Sequence, residues 1–199
     1  MNFIPFILAS GSPRRKQLLN QIGLEFTVIP SDVDEDFTLD LPPEAFTEHW
    51  AREKAKSVAK IHPDSLIVGA DTIVVLDENI LGKPKDKKDS FNMLQSLSGK
   101  THEVITGVSF ISLEQELDHT FNERTFVSFN TLSDRDIKSY IDIYNPLDKA
   151  GSYGIQDWFS VHIHRVEGCY YNVMGLPLSS FYSYFKSVSA FLINHDHHH

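Results

Sequence analysis

Leu8-Ala9-Ser10-Gly11-Ser12-Pro13-Arg14-Arg15 is the stretch from which the fold is read. An apolar run, Phe3 to Leu8, leads into it and reads as a buried strand. An amphipathic pattern follows, with Leu18, Leu19 and Ile22 on one face. Ser12 suits an N-cap, Pro13 the first helical position, and Gly23 the left-handed residue past the end. The expectation is strand, tight turn, helix. A helix start presents unpaired N–H groups and a partial positive charge. Two arginines in that first turn are electrostatically out of place unless an anion sits beside them, and local departures of this kind mark functional sites. Ser10, Gly11 and Ser12 add hydroxyls and small residues that let a ligand reach the backbone. The stretch reads as a phosphate cradle; the plain alternative is two surface arginines on a solvated turn.

The chain has 199 residues, 41% of them hydrophobic, enough for a sizeable core in one domain or one domain of two lobes. Its net charge of −9 argues against a nucleic-acid coat, and no Lys/Arg run is long enough to track a phosphate backbone. Basic residues gathered at turns in an acidic chain suit a small anion instead. The single cysteine, Cys169, has no partner for an intramolecular disulfide and reads as a partly buried thiol in a strand. No apolar stretch approaches the roughly 18 residues of a membrane span, and the N-terminus lacks a signal-peptide pattern. A cytoplasmic chain with neither membrane nor nucleic-acid partner is expected. Residues 194–199 are His-rich and read as a tag remnant, apart from a domain over 1–193.

Further along, Glu25 to Pro30 alternates as a strand and runs into Ser31-Asp32-Val33-Asp34-Glu35-Asp36. Such an acidic run is ordinarily a solvated loop; it is also where a divalent cation would find carboxylate oxygens. A helix is expected over Glu44 to Ile61, with Lys54 on the same stripe as Phe46, Trp50, Ala51, Ala55 and Val58. That lysine either snorkels or points into a site. Ser65 to Leu81 reads as a hairpin, its apolar run broken in mid-course by Asp71-Thr72. A carboxylate between hydrophobic strands is costly unless paired or metal-bound, which makes Asp71 the foremost candidate for chemistry. Gly82-Lys83-Pro84 follows as a turn or a positioned cation. A helix from Asp86 to Leu97 leads to two long β segments, Thr101–Leu113 and His119–Leu132, expected to pair antiparallel. Ser133 to Asp136 reads as a capping box for a helix to Tyr144. A loop of small residues, a closing hairpin of Val161–Val166 with Tyr170–Met174, and a terminal helix from Leu178 complete the chain.

Ser10-Gly11-Ser12-Pro13-Arg14-Arg15, Gly69-Ala70-Asp71-Thr72, Gly82-Lys83-Pro84, Leu97-Ser98-Gly99, Asp148-Lys149-Ala150-Gly151, Tyr153-Gly154-Ile155-Gln156 and Gly175-Leu176-Pro177, in that order and spacing, resemble the Maf family. The resemblance spans nearly the whole chain. It implies a mixed α/β fold, an extended twisted sheet flanked by helices, in two lobes with a central cleft. It implies a nucleoside triphosphate pyrophosphatase that uses a divalent cation, Mg²⁺ or Mn²⁺, and forms a homodimer. The family is also linked to septum formation and cell-division arrest. Tyr153-Gly154-Ile155-Gln156 looks like the branch acting on dTTP and UTP, with a pyrophosphatase for 7-methyl-GTP or another non-standard nucleotide, or a nucleotide-binding division regulator, as the alternatives. Carried over by position, Asp71 looks like the proton acceptor, and Arg14, Thr72 and Gln156 like the specificity positions. Ser10, Arg14, Arg15, Lys54 and Lys83 look like phosphate-binding groups, and Glu35 with Asp71 like metal ligands. Where the family carries a glycine-containing stretch after that glutamine, this chain has Asp157-Trp158-Phe159-Ser160, a change at the cleft rim.

Overall fold

The computed structural model describes residues 4–196. Phe6–Leu8 forms β1 and Pro13–Gln21 forms α1. Ser12 caps the helix, its Oγ accepting from the Arg15 N–H at 3.5 Å, with Pro13 in the first turn. Gly23 follows with φ 67°, so the opening stretch folds as its capping residues dictate. Phe3 lies outside the described residues.

The remaining strands are β2 (Phe26–Val28), β3 (Leu66–Leu76), β4 (Asn79–Leu81), β5 (Thr101–Ser112), β6 (Leu117–Phe129) and β7 (Ile163–Glu167). They make one mixed sheet in the order β2-β1-β3-β5-β6-β7, with β4 added on β3. Among the described residues only β1 pairs in parallel, with β2 and β3. The helices are α2 (Pro43–Ala59), α3 (Lys87–Leu97), α4 (Asp134–Tyr144), α5 (Tyr170–Val173) and α6 (Leu178–Asp196). None of them is long and apolar enough to cross a membrane, among the described residues.

The central strand, β3, positions everything else. Its side chains alternate between faces. On one face Leu66, Val68 and Ala70 pack with Leu18 and Leu19 of α1 and Phe181 and Phe185 of α6. Further along the same face Val74 and Leu76 join a separate cluster with Leu94 and Leu97 of α3 and Ile137 and Tyr140 of α4. The two clusters part at Thr72, and that gap separates the two lobes. On the opposite face Ile67, Ile73 and Val75 lie under α2, against Ala55, Val58, Phe46 and Trp50. Glycine lets α2 sit that close. A Cβ on Gly69 would lie 2.1 Å from the Ala51 carbonyl oxygen, and one on Gly107 2.4 Å from that of Thr47.

The sheet also leaves a notch. On one edge of β3, β1 pairs only as far as Val68 and β4 begins only at Val74. On the other edge β5 pairs without a break from Ile67 to Val75. Asp71 lies in the middle of the unpaired stretch.

Several sequence expectations change. Asp71-Thr72 does not break the apolar run; β3 is continuous, because alternation sends each polar side chain to its own buried partners. The hairpin expected over Ser65 to Leu81 does form, with β3 as one arm, the short β4 as the other and the turn at Asp77-Glu78. In place of the strand expected over Tyr170–Met174 there is the short helix α5, Tyr170–Val173, leaving β7 to pair with β6. Cys169 therefore precedes a helix, half-buried, and is not in a strand. Of the His-rich tail, residues 197–199 lie outside the described residues.

Candidate active site

The notch opens into a cleft of about 700 Å³ lined by the turn after β1, the loop after β2, β3, the turn after β4, and the loop of residues 148–157. At its floor is Asp71, buried, on the α2 side of the sheet. Lys54 of α2 donates to Asp71 Oδ1 at 2.7 Å and to Glu35 Oε1 at 2.5 Å. The lysine on the core-facing stripe thus points into the site. Glu35 reaches it because residues 31–36 alternate like a strand: Val33 and Glu35 turn inward while Asp32, Asp34 and Asp36 face solvent. Most of the acidic run is the solvated loop it resembled, and one member is not.

Burial pushes the Asp71 carboxyl above its ordinary range; Lys54 pulls the other way and the Glu35 charge adds to the rise. Burial also works on Glu35, but Lys54 and then Lys83 outweigh it and hold its carboxyl low. Burial thus favours the neutral form of Asp71, while the two lysines favour the charged form of Glu35. Asp71 Oδ2 is buried with no hydrogen-bond partner among the described residues. A buried carboxylate oxygen without a donor is costly. Two adjacent carboxylates with such a free oxygen fit a hard divalent cation, which takes one or two carboxylates plus substrate phosphates. No group of three or more His, Cys, Asp or Glu that could hold a metal occurs among the described residues.

Across the sheet, Thr72 faces the gap between the lobes. Arg15 is buried there, and burial holds its pKa below the ordinary arginine value. It donates to the Gly175 carbonyl at 2.8 Å, to Ser10 Oγ at 3.0 Å and to Thr72 Oγ1 at 2.9 Å. Thr72 Oγ1 also lies 2.9 Å from Thr106 Oγ1. Arg15 is in the cleft wall and ties together two other expected site residues. Arg14 stands at the rim, paired with Asp148 at 2.8 Å. Lys83 and Gln156 are exposed and line the cleft.

The structure therefore brings Ser10, Arg14, Arg15, Glu35, Lys54, Asp71, Thr72, Lys83 and Gln156 to one crevice. Residue reasoning gave no role to Thr106, Lys149 or Tyr153. Lys149 stood in a quoted motif, which was a usable signal; Thr106 sat inside a β run with none. The altered rim after Gln156 is well anchored. Asp157 caps a turn over Trp158–His162, accepting from the Phe159 N–H at 3.0 Å. Its other oxygen accepts from the Tyr140 hydroxyl at 3.0 Å, while Phe159 fills the core.

The Maf-like protein family profile matches residues 5–188. This chain belongs to the Maf-like family. A dTTP/UTP pyrophosphatase of Ruminiclostridium cellulolyticum is 48% identical over 174 residues, 87% of this chain and 90% of that protein. One of Halalkalibacterium halodurans is 50% identical over 175 residues, 88% and 91%. Among solved structures, the Staphylococcus aureus Ham1 protein overlaps with a TM-score of 0.45 and 14% identity, over 63% of this chain and 72% of that one.

Proposed function

We propose that this Maf-like chain hydrolyses dTTP and UTP to the monophosphate and pyrophosphate. The observation that carries the reading is the free Asp71 Oδ2 at the floor of a cleft whose walls hold Arg14, Lys83 and Lys149. The names of relatives sharing about half their residues supply the substrates.

Water adds to the α-phosphorus, the bond from that phosphorus to the bridging oxygen breaks, and pyrophosphate leaves. The water's proton passes to Asp71 Oδ2. An ordinary aspartate, with a pKa of about 3.9, is a weak base at neutral pH; the rise that burial gives Asp71 makes it a stronger one. Lys54 fixes the direction of both carboxylates. Arg14, Lys83 and the N–H groups at the start of α1 neutralise the triphosphate, which is most of what phosphoryl chemistry requires. Arg15 holds Ser10 and Thr72 in place. Glu35, with Asp71 until it takes the proton, would hold a divalent cation, Mg²⁺ or Mn²⁺, which would neutralise phosphate charge and acidify water. Gln156, at the exposed mouth, offers an amide donor and acceptor to a pyrimidine edge.

Pyrophosphate release tests the proposal, measured on dTTP, UTP, GTP and 7-methyl-GTP with Mg²⁺ or Mn²⁺. Turnover of dTTP and UTP is expected. Turnover of 7-methyl-GTP alone would move the chain to that branch; none at all would leave a nucleotide-binding regulator. A homodimer is part of the same proposal, and a monomer mass in light scattering would remove it.

A further inference from the structure

The cleft rim holds a second charge cluster, separate from the Lys54 pair. Asp148 ends the short turn Pro146–Asp148, and its carboxylate is shared by two cations. Arg14 Nη1 donates to Oδ2 at 2.8 Å and Lys149 Nζ to Oδ1 at 3.0 Å. A further Arg14 nitrogen reaches the Asp148 carbonyl at 3.4 Å. Burial raises the Asp148 pKa, but the hydrogen bonds from both cations outweigh it and keep the carboxyl below its usual range. The lysine is not a free surface chain. Its side chain is 16% exposed, against 56% for Asp148. It runs beside Gly154, where an added Cβ would come 3.1 Å from Lys149 Cε. The backbone is fixed as well: the Gly151 N–H donates to the Gly82 carbonyl at 3.1 Å, tying this rim to the Lys83 turn. Two cleft-lining cations, one from each lobe, therefore meet on one solvent-facing carboxylate.

We propose that Arg14, Lys149 and Asp148 form an anion-exchange cradle, in which the Asp148 carboxylate holds the two cations until phosphate oxygens of a polyphosphate displace it. The exchange swaps like for like. A carboxylate and a phosphate both accept charge-assisted hydrogen bonds from guanidinium and ammonium groups. Asp148 thus keeps Arg14 and Lys149 pointed correctly while competing with the ligand. Lys149 becomes a phosphate-positioning residue, and Asp148 sets how tightly the product pyrophosphate is held. The identity of the natural anion rests on the proposed nucleotide hydrolysis; the exchange does not.

The test is calorimetric titration of inorganic pyrophosphate, without added metal, into the full chain and its variants. Asp148→Asn should bind pyrophosphate about three to ten times more tightly than the parent. Lys149→Met should bind it more weakly by about the same factor, with Lys149→Arg restoring most of the loss. The loss from Lys149→Met should be larger when Asp148 is already Asn, because the two residues are coupled. Asp148→Ser serves as the second variant should Asp148→Asn fold poorly. Unchanged or weaker binding by Asp148→Asn would overturn the proposal and make Asp148 a simple strut for Arg14. Equal losses from Lys149→Met in both backgrounds would overturn it too, leaving only a general field effect. Failure to hydrolyse any nucleotide, with the titrations as expected, would remove the hydrolase reading and keep the exchange.

Discussion

Asp71 is a residue whose chemistry and stability pull in opposite directions. Its free oxygen and raised pKa suit the proton transfer proposed for it, yet the same burial penalises its charge. Asp71→Asn should lower kcat by about 10² to 10⁴, the usual worth of a positioned base, while nucleotide binding stays measurable. The same variant should be more stable at pH 7, since Lys54 keeps Glu35 as a partner at 2.5 Å and a buried charge is gone. A gain of ~1 kcal/mol corresponds to a rise of about 2–4 °C in Tm for a chain of this length. Full activity would remove Asp71 from the mechanism, and a fall in Tm would show that its pair with Lys54 stabilises on balance. The sign with pH follows. A carboxyl raised in the fold contributes stability below its unfolded pKa and loses it as pH rises through the folded value. His102 does the reverse. Buried under the cleft-lining Tyr153, with Nε2 2.9 Å from its hydroxyl, it is held neutral to a pKa of about 3 by burial. Its contribution is whole above the unfolded value and is lost as pH falls from about 6.5 toward 3, at ~1.4 kcal/mol per pH unit. Urea titrations of His102→Gln should show that acid slope reduced by about one proton.

The contact of α2 with β3 is the element on which the site depends. Gly69 carries it, two residues from Asp71, and opposite it on α2 lies Ala51, one turn from Lys54. Gly69→Ala drives a methyl into the Ala51 carbonyl and should cost ~3 kcal/mol or more. Because the helix must move, the 2.7 Å Lys54–Asp71 bond opens and kcat falls as well. Gly11→Ala is the contrast. Its Cβ would meet only Pro30, at an ordinary 3.8 Å. Thermal melts should show near-parental stability, with KM raised if phosphate approaches that turn; unchanged KM would place the phosphate elsewhere. Elements were legible where their signals are local. Ser12, Pro13 and Gly23 specify α1 within its own span, and the Asp86 and Ser133 caps likewise mark α3 and α4. Asp71-Thr72 was misread because its partners are remote: Lys54 lies 17 residues away in sequence and Arg15 57 from Thr72. Without them a polar pair inside an apolar run looks like an end. The Tyr170–Val173 turn failed for a different reason, since a short aromatic run has no distinguishing period.

At the scale of the molecule, the cleft is a consequence of how the sheet is covered. The α1/α6 cluster and the α3/α4 cluster bury the same face but stop on either side of Thr72. Single-residue patterns place no such gap; family motifs supplied the convergence, and Arg14 with Asp148 shows why nothing else did, as they lie 134 residues apart. A ligand in this gap should touch both lobes, and that is testable in Asp71→Asn, which is expected to hold nucleotide while turning it over slowly. Binding to the folded state alone adds ~2.7 kcal/mol at a hundredfold excess over Kd, or roughly 5–10 °C in Tm. dTTP should produce this shift and GTP a smaller one. Mass action alone does not say where the ligand sits; hydrogen exchange does. A bridging nucleotide should slow amide exchange together at Ser10–Arg15 and at Lys149–Gln156, cleft walls far apart in sequence. Protection confined to the first stretch would leave the phosphate held and the base unread. Protection confined to the second would move the polyphosphate away from the helix start where its charge is best met.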